Sequence, residues 1–229
     1  MFVSPVCKST DAILFLAMLK IHKDNFPLIE VVFVSVIPTF IIATELYIFH
    51  IVHHTFWSIL PFIVWLALVG YIIRLRKITA RQLGFNSNKL NGLALHVAVT
   101  VAGLVVAYGL ALVLHRHLKS NSLTGIHFQF GFLLTAFVQE VIFRGYVMTI
   151  LESRYSKNVV LMASAILFSQ VHAPFPPLLL SVFLTFTGGI VWGWLFMRFR
   201  NIYLLTVSHA ILNFVFVMLG LISVPSIKF

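Results

Sequence analysis

The chain has 229 residues, 60% of them hydrophobic and only 10% charged, with a mean hydropathy of +1.03. A soluble domain carries roughly 25% charged residues, so this composition excludes a water-soluble globule and makes the bilayer its natural solvent. The formal charge of +10 does not indicate a nucleic-acid partner. Its basic residues stand at the ends of apolar runs rather than on one amphipathic stripe, a pattern of membrane topology and contact with anionic lipid.

Read from the N-terminus, residues 12–19 (AILFLAML) form an apolar stretch too short to span. No small-residue cleavage site follows it, so an interfacial or re-entrant helix is expected rather than a signal peptide. Residues 1–25 therefore form an N-terminal interfacial segment, and residues 26–229 a single transmembrane domain. Cys7, the only cysteine, excludes an intramolecular disulfide framework. Its SPVC context is a poor lipobox, so it reads as a free thiol.

Seven longer apolar segments follow: Phe26–Phe49, Phe56–Ile73, Asn91–Leu114, Ile126–Ile150, Val159–His172, Pro177–Met197 and Tyr203–Ile222. Most approach the ~20 residues that cross the hydrocarbon core. The fifth is short, and APFPP ends it because proline lacks the amide hydrogen and disfavours helix before it. No repeat or low-complexity tract is present. The fold class expected is all-α, a polytopic bundle of about seven spans plus the short N-terminal apolar helix.

Lysine and arginine set the orientation. With the N-terminus inside, the inner segments hold Lys8, Lys20, Lys23, Arg74, Arg76, Lys77, Arg81, Lys89, Arg154, Lys157, Arg198 and Arg200. The outer segments hold only Arg116, Lys119 and Lys228. That bias predicts N-in and C-out.

Ionisable groups at bilayer depth are costly and default to functional candidates facing the protein interior. Glu140 and Arg144 in the fourth span are four apart, share a helix face and can pair. Gln139 lies about 100° round the helix. Phe168 and His172 end the fifth span in FSQVH, and His209 and Asn213 stand in HAILN of the seventh, both again at i,i+4. Each pair alone has a plain structural reading: a helix ion pair, an interfacial histidine, an interhelical hydrogen bond. Together they are more informative. At 1.5 Å per residue, Gln139, His172 and His209 sit roughly 16, 20 and 9 Å from the inner side, within reach of one polar layer.

Other polar positions make weaker claims. Glu30 and Glu45 lie in the first span; His50, His53 and His54 look like a metal cluster by count, but their place in a short outer loop makes a solvated patch the expected reading. Gly189 and Gly193 form GxxxG, which permits close helix packing. His96 has no evident partner.

These residues resemble the CAAX-protease and bacteriocin-processing endopeptidases, the CPBP or Abi family, which carry EExxxR, FxxxH and HxxxN/D. Here the ordered trio is QEVIFRG (Gln139–Gly145), FSQVH (Phe168–His172) and HAILN (His209–Asn213). The run GGIVWGWLFMRFRNIYLLTVSHAILN is similar to the family's approach to its third motif. The likeness covers roughly residues 126–215.

The resemblance implies an intramembrane endopeptidase acting on a peptide or a lipidated protein tail. By position, His172 helps activate water, His209 and Asn213 form the oxyanion site, Arg144 orients Glu140, and Phe168 contacts substrate. Glu140, His172 and His209 offer zinc ligands, but the resemblance favours a metal-free site without cofactor. The departure is Gln139, where the motif has glutamate: an amide holds water but does not accept its proton near neutral pH. Three explanations stay open: engineered inactivation, a natural pseudoprotease, or Glu140 serving as base. A non-catalytic membrane scaffold or bacteriocin-immunity protein is the alternative function. A small transporter finds no inverted repeat in its support. A pH switch through His172 or His209 rests only on imidazole titrating near neutrality. The small size and basic inner loops point to a prokaryotic cytoplasmic membrane.

Overall fold

The computed structural model describes Val31 and residues 60–86, 88, 90–116, 126–173 and 177–222. The expected N-terminal segment, the first span apart from Val31, Cys7, Glu30, Glu45 and the His50, His53 and His54 patch lie outside the described residues.

All regular structure among the described residues is helical. Helix α1 (Leu60–Leu75) is followed by α2 (Leu93–Val113). Helix α3 (Ile126–Glu140) runs without a break into a π-helical segment, π1 (Val141–Met148), and then into α4 (Thr149–Glu152). Helices α5 (Lys157–Gln170), α6 (Leu178–Phe199) and α7 (Ile202–Met218) complete the order. Among the described residues, three stretches have the length and hydropathy to cross a membrane: Leu93–Val113, Phe132–Glu152 and Leu178–Phe199. The other described helices are shorter. At 14 residues, α5 extends only about 21 Å. Its end falls before His172, which sits in a turn rather than in the helix.

Burial separates the spans by role. In the Phe132–Glu152 span 67% of the apolar window lies inside the protein, against 22% in α2. Helix α2 turns Val97, Val101, Val105, Val106 and Leu112 outward. An apolar surface this continuous has lipid as its solvent. The protein is an integral membrane protein, with the α3–π1–α4 span as its hub. That span contacts α1, α5 and α7, α7 also packs on α2, and α5 lies along α6. The main core gathers Trp65, Phe143, Tyr146, Phe168, Trp192, Phe196 and Leu205 around the hub.

The π segment departs from the regular helix expected over Ile126–Ile150. Every residue from Ile142 to Met148 is buried, a condition no amphipathic α-helix meets. Gly145 permits it on one side, since a Cβ there would stand 2.9 Å from the Leu83 carbonyl oxygen.

Three connections meet at one end of the bundle: residues 76–92, 153–156 and 200–201. Asn201 is fully buried and caps α7, its Oδ1 accepting from Leu204 N at 3.3 Å. Its Nδ2 donates to the Asn91 carbonyl at 3.1 Å, and Asn91 Nδ2 donates to the Phe199 carbonyl at 3.3 Å. Thr149 Oγ1 donates to the Gln82 carbonyl at 3.0 Å, and Ile202 N to the Gly84 carbonyl at 3.0 Å. Side chains thus satisfy polar backbone groups that would otherwise be stranded between helices. This clasp fixes the depth at which the hub and α7 meet.

Candidate active site

The hub brings Glu140 and Arg144 to the last turn of α3 and the start of π1. Both are fully buried, with Arg144 Nε 3.3 Å from Glu140 Oε2. The other carboxylate oxygen, Oε1, accepts from His209 Nδ1 at 2.8 Å. Helix α7 places His209 and Asn213 one turn apart, and Asn213 Nδ2 donates to His209 Nε2 at 2.8 Å. This donor order requires the His209 tautomer with its proton on Nδ1. Arg144, Glu140, His209 and Asn213 therefore form one continuous polar chain between two helices.

Aromatic rings enclose that chain. The Phe168 ring lies 4.2 Å beneath the Arg144 guanidinium carbon and meets His209 edge-on at 5.3 Å between centroids. It also lies 4.8 Å from the His172 ring. Phe168 is itself fully buried, so it acts as a spacer between two imidazoles and as a π face for the buried cation. Trp192 of α6 stacks on His209 at 4.4 Å and 28°. No motif position marks Trp192 itself; its signals are its place between Gly189 and Gly193 and within the run GGIVWGWLF that leads to the third motif.

A further chain holds the tryptophan. Trp192 Nε1 donates to Ser208 Oγ at 3.2 Å, Ser208 Oγ lies 2.7 Å from Thr100 Oγ1, and Thr100 Oγ1 donates to the His96 carbonyl at 2.7 Å. One proton order satisfies all of it, running from indole to serine to threonine to carbonyl. His96 is thereby explained as part of the α2–α7 seam, its Nδ1 2.9 Å from the Gly92 carbonyl oxygen.

His172 is buried in the turn after α5. Its Nδ1 lies 3.0 Å from the Phe168 carbonyl, and Ser181 Oγ donates to the His172 carbonyl at 3.1 Å. A carbonyl only accepts, so Nδ1 carries the proton and Nε2 is the acceptor atom. Gln139 is 5% exposed, and its Oε1 makes no hydrogen bond among the described residues.

The expected polar residues thus fall into one linked chain (Arg144, Glu140, His209, Asn213), with His172 joined to it through the Phe168 ring. Gln139 is buried beside Glu140 without a resolved bond to the rest. As for zinc, Glu140 is already engaged on both oxygens and His209 on both nitrogens. Among the described residues no three His, Cys, Asp or Glu side chains are grouped to hold a metal ion.

No curated protein is similar enough to the whole chain to count as a match. Residues 121–215 do match a family, described as Type II CAAX prenyl endopeptidase Rce1-like. The matched stretch contains all three motifs and the hub, α5, α6 and most of α7. Over residues 121–215 the chain is therefore similar to this Rce1-like family of CAAX prenyl endopeptidases.

Proposed function

We propose that the protein is an intramembrane endopeptidase of the CAAX type, muted by Gln139, with a peptide or lipidated protein tail as substrate. The observation that carries the reading is the Glu140–His209–Asn213 chain, in which side chains of two separate motifs meet inside a membrane span. Water is held between the Gln139 amide and His172. As its oxygen attacks the scissile carbonyl carbon, His172 Nε2 takes the proton, which the imidazolium then delivers to the amine as the C–N bond breaks. The remaining Asn213 N–H, beside His209, stabilises the oxyanion. Glu140 is not the base in this reading, because Arg144 and His209 already occupy its oxygens; it and Arg144 position His209. No metal or organic cofactor takes part.

The same reading places the full chain in a prokaryotic cytoplasmic membrane with about seven spans, N-terminus inside. A non-catalytic scaffold or immunity protein is the second reading, favoured by the amide at position 139. Cleavage of a quenched prenyl-peptide reporter by the purified chain and by Gln139→Glu decides between them. A positioned carboxylate base contributes ~10²–10⁴ in rate, so the substituted protein should cleave faster by that order. Absence of cleavage in both forms would leave the scaffold.

A further inference from the structure

Away from the buried chain, the clasped end of the bundle opens into a cleft of about 610 Å³. Its walls come from all three connections: Arg81 from residues 76–92, Thr149, Glu152 and Ser153 from the hub's end, and Arg198 and Arg200 from the end of α6. Arg200 is committed to the wall. It takes a left-handed conformation (φ 48°), donates through Nη1 to the Gln82 carbonyl at 3.1 Å, and pairs through Nη2 with Glu152. Its ion pair neutralises the only acidic side chain in the lining.

Arg81 and Arg198 are both exposed, and their guanidinium groups make no ion pair or hydrogen bond with the described residues. Arg198 instead lies over the rings of Trp194 and Phe199, at 5.8 and 5.5 Å. Two uncommitted planar cations thus share one concavity, which excess positive charge leaves unneutralised. Such forks match phosphate oxygens in pairs.

Depth selects the source of that phosphate. The cleft lies where the spans Phe132–Glu152 and Leu178–Phe199 end, which is headgroup level for helices crossing a hydrocarbon core. Trp194, 42% exposed, stands one turn before Arg198, as an interfacial aromatic does. A ligand reaching this cleft along the helix would be a lipid with its acyl chains beside α6.

We propose that the cleft is a binding site for the phosphate headgroup of an anionic phospholipid, held by Arg81 and Arg198. This site is separate from the buried Glu140–His209 chain and independent of whether the protein cleaves peptides.

The test uses the full chain in neutral detergent, titrated calorimetrically with short-chain phosphatidylglycerol, phosphatidylcholine and inorganic phosphate in separate arms. Removing both cleft charges (Arg81→Gln with Arg198→Gln) should weaken phosphatidylglycerol binding at least about fivefold, the worth of one arginine near an anionic surface. Arg74→Gln with Lys157→Gln removes equal charge from exposed positions outside the cleft lining and should leave binding near its original strength. Equal loss in both pairs overturns the site in favour of a diffuse basic surface. Equal affinity for phosphatidylcholine, or phosphate alone binding as tightly as the lipid, also overturns the headgroup assignment. Thermal unfolding of each variant checks folding, and both pairs carry exposed side chains whose loss leaves the core intact.

Discussion

Glu140 and Arg144 show how much a single residue can commit. Arg144 is wholly buried, and its guanidinium finds one carboxylate at 3.3 Å and two ring faces, Phe168 at 4.2 Å and Trp192 at 5.8 Å. Removing either partner strands the other in low dielectric, at a cost of about 3–5 kcal/mol. Glu140→Gln should therefore lower the unfolding free energy in detergent by that order. The double variant Glu140→Gln with Arg144→Met should recover most of it, since it leaves no buried charge without its partner. Additive losses in this cycle would show that the two side chains do not act as a pair. Gln139 is the opposite case. Its carbonyl oxygen is unbonded among the described residues, so Gln139→Glu breaks no existing bond there, although it buries a second carboxyl beside Glu140. Its effect belongs in the reporter assay, as a gain in rate. The contrast between adjacent positions was partly readable in advance. Spacing at i,i+4 announces Glu140 with Arg144 and His209 with Asn213. It does not announce the 2.8 Å link between the pairs, because helix rotation about its own axis is set by tertiary packing.

At the scale of elements, glycine reports where helices touch. A Cβ on Gly189 would lie 2.9 Å from the Ala165 Cα, backbone that cannot yield without parting α5 from α6. Gly189→Ala should cost about 1–3 kcal/mol, the range for overpacking. Gly109 of α2 has open space around its Cα, and Gly109→Ala should be neutral or stabilise by about 0.5–1 kcal/mol, since alanine is the better helix former. Thermal melts of both variants in one detergent check the pair; a destabilised Gly109→Ala would mean that an unseen surface packs there. GxxxG was legible as a contact motif, and the helix ends fell within a few residues of the apolar runs, because proline, glycine and charge punctuate them. The π register of Val141–Met148 was not legible. Hydropathy has no period to offer where every side chain is buried. The register is imposed by neighbours, including the Leu83 backbone against Gly145. π-helical turns gather at functional sites, and this one begins at the carboxylate that anchors His209.

For the whole molecule, the clasp and the charge distribution make one topological argument. Hydrogen bonds join residues 82–91 to Thr149, Phe199, Asn201 and Ile202, so the connections after α1, after the hub and after α6 share one end. That same end carries Arg74, Arg76, Lys77, Arg81, Arg154, Lys157, Arg198 and Arg200. Helix α2 runs some 30 Å from there to Arg116, on 21 residues at 1.5 Å each. The charge count assigned these segments to one side from sequence alone; their shared hydrogen bonds arrive at the grouping by an independent route. The positive-inside rule predicts that the clasped end faces the cytoplasm. With Cys7 replaced by serine, Lys157→Cys and Arg116→Cys supply single thiols at opposite ends. A membrane-impermeant maleimide added to intact cells should label Arg116→Cys and leave Lys157→Cys untouched until the membrane is opened. Labelling of Lys157→Cys from outside would invert the protein, and with it the side from which a substrate tail or an anionic headgroup approaches. Labelling at both positions in intact cells would mean a mixed orientation and would overturn the single orientation that the bias of lysine and arginine predicts.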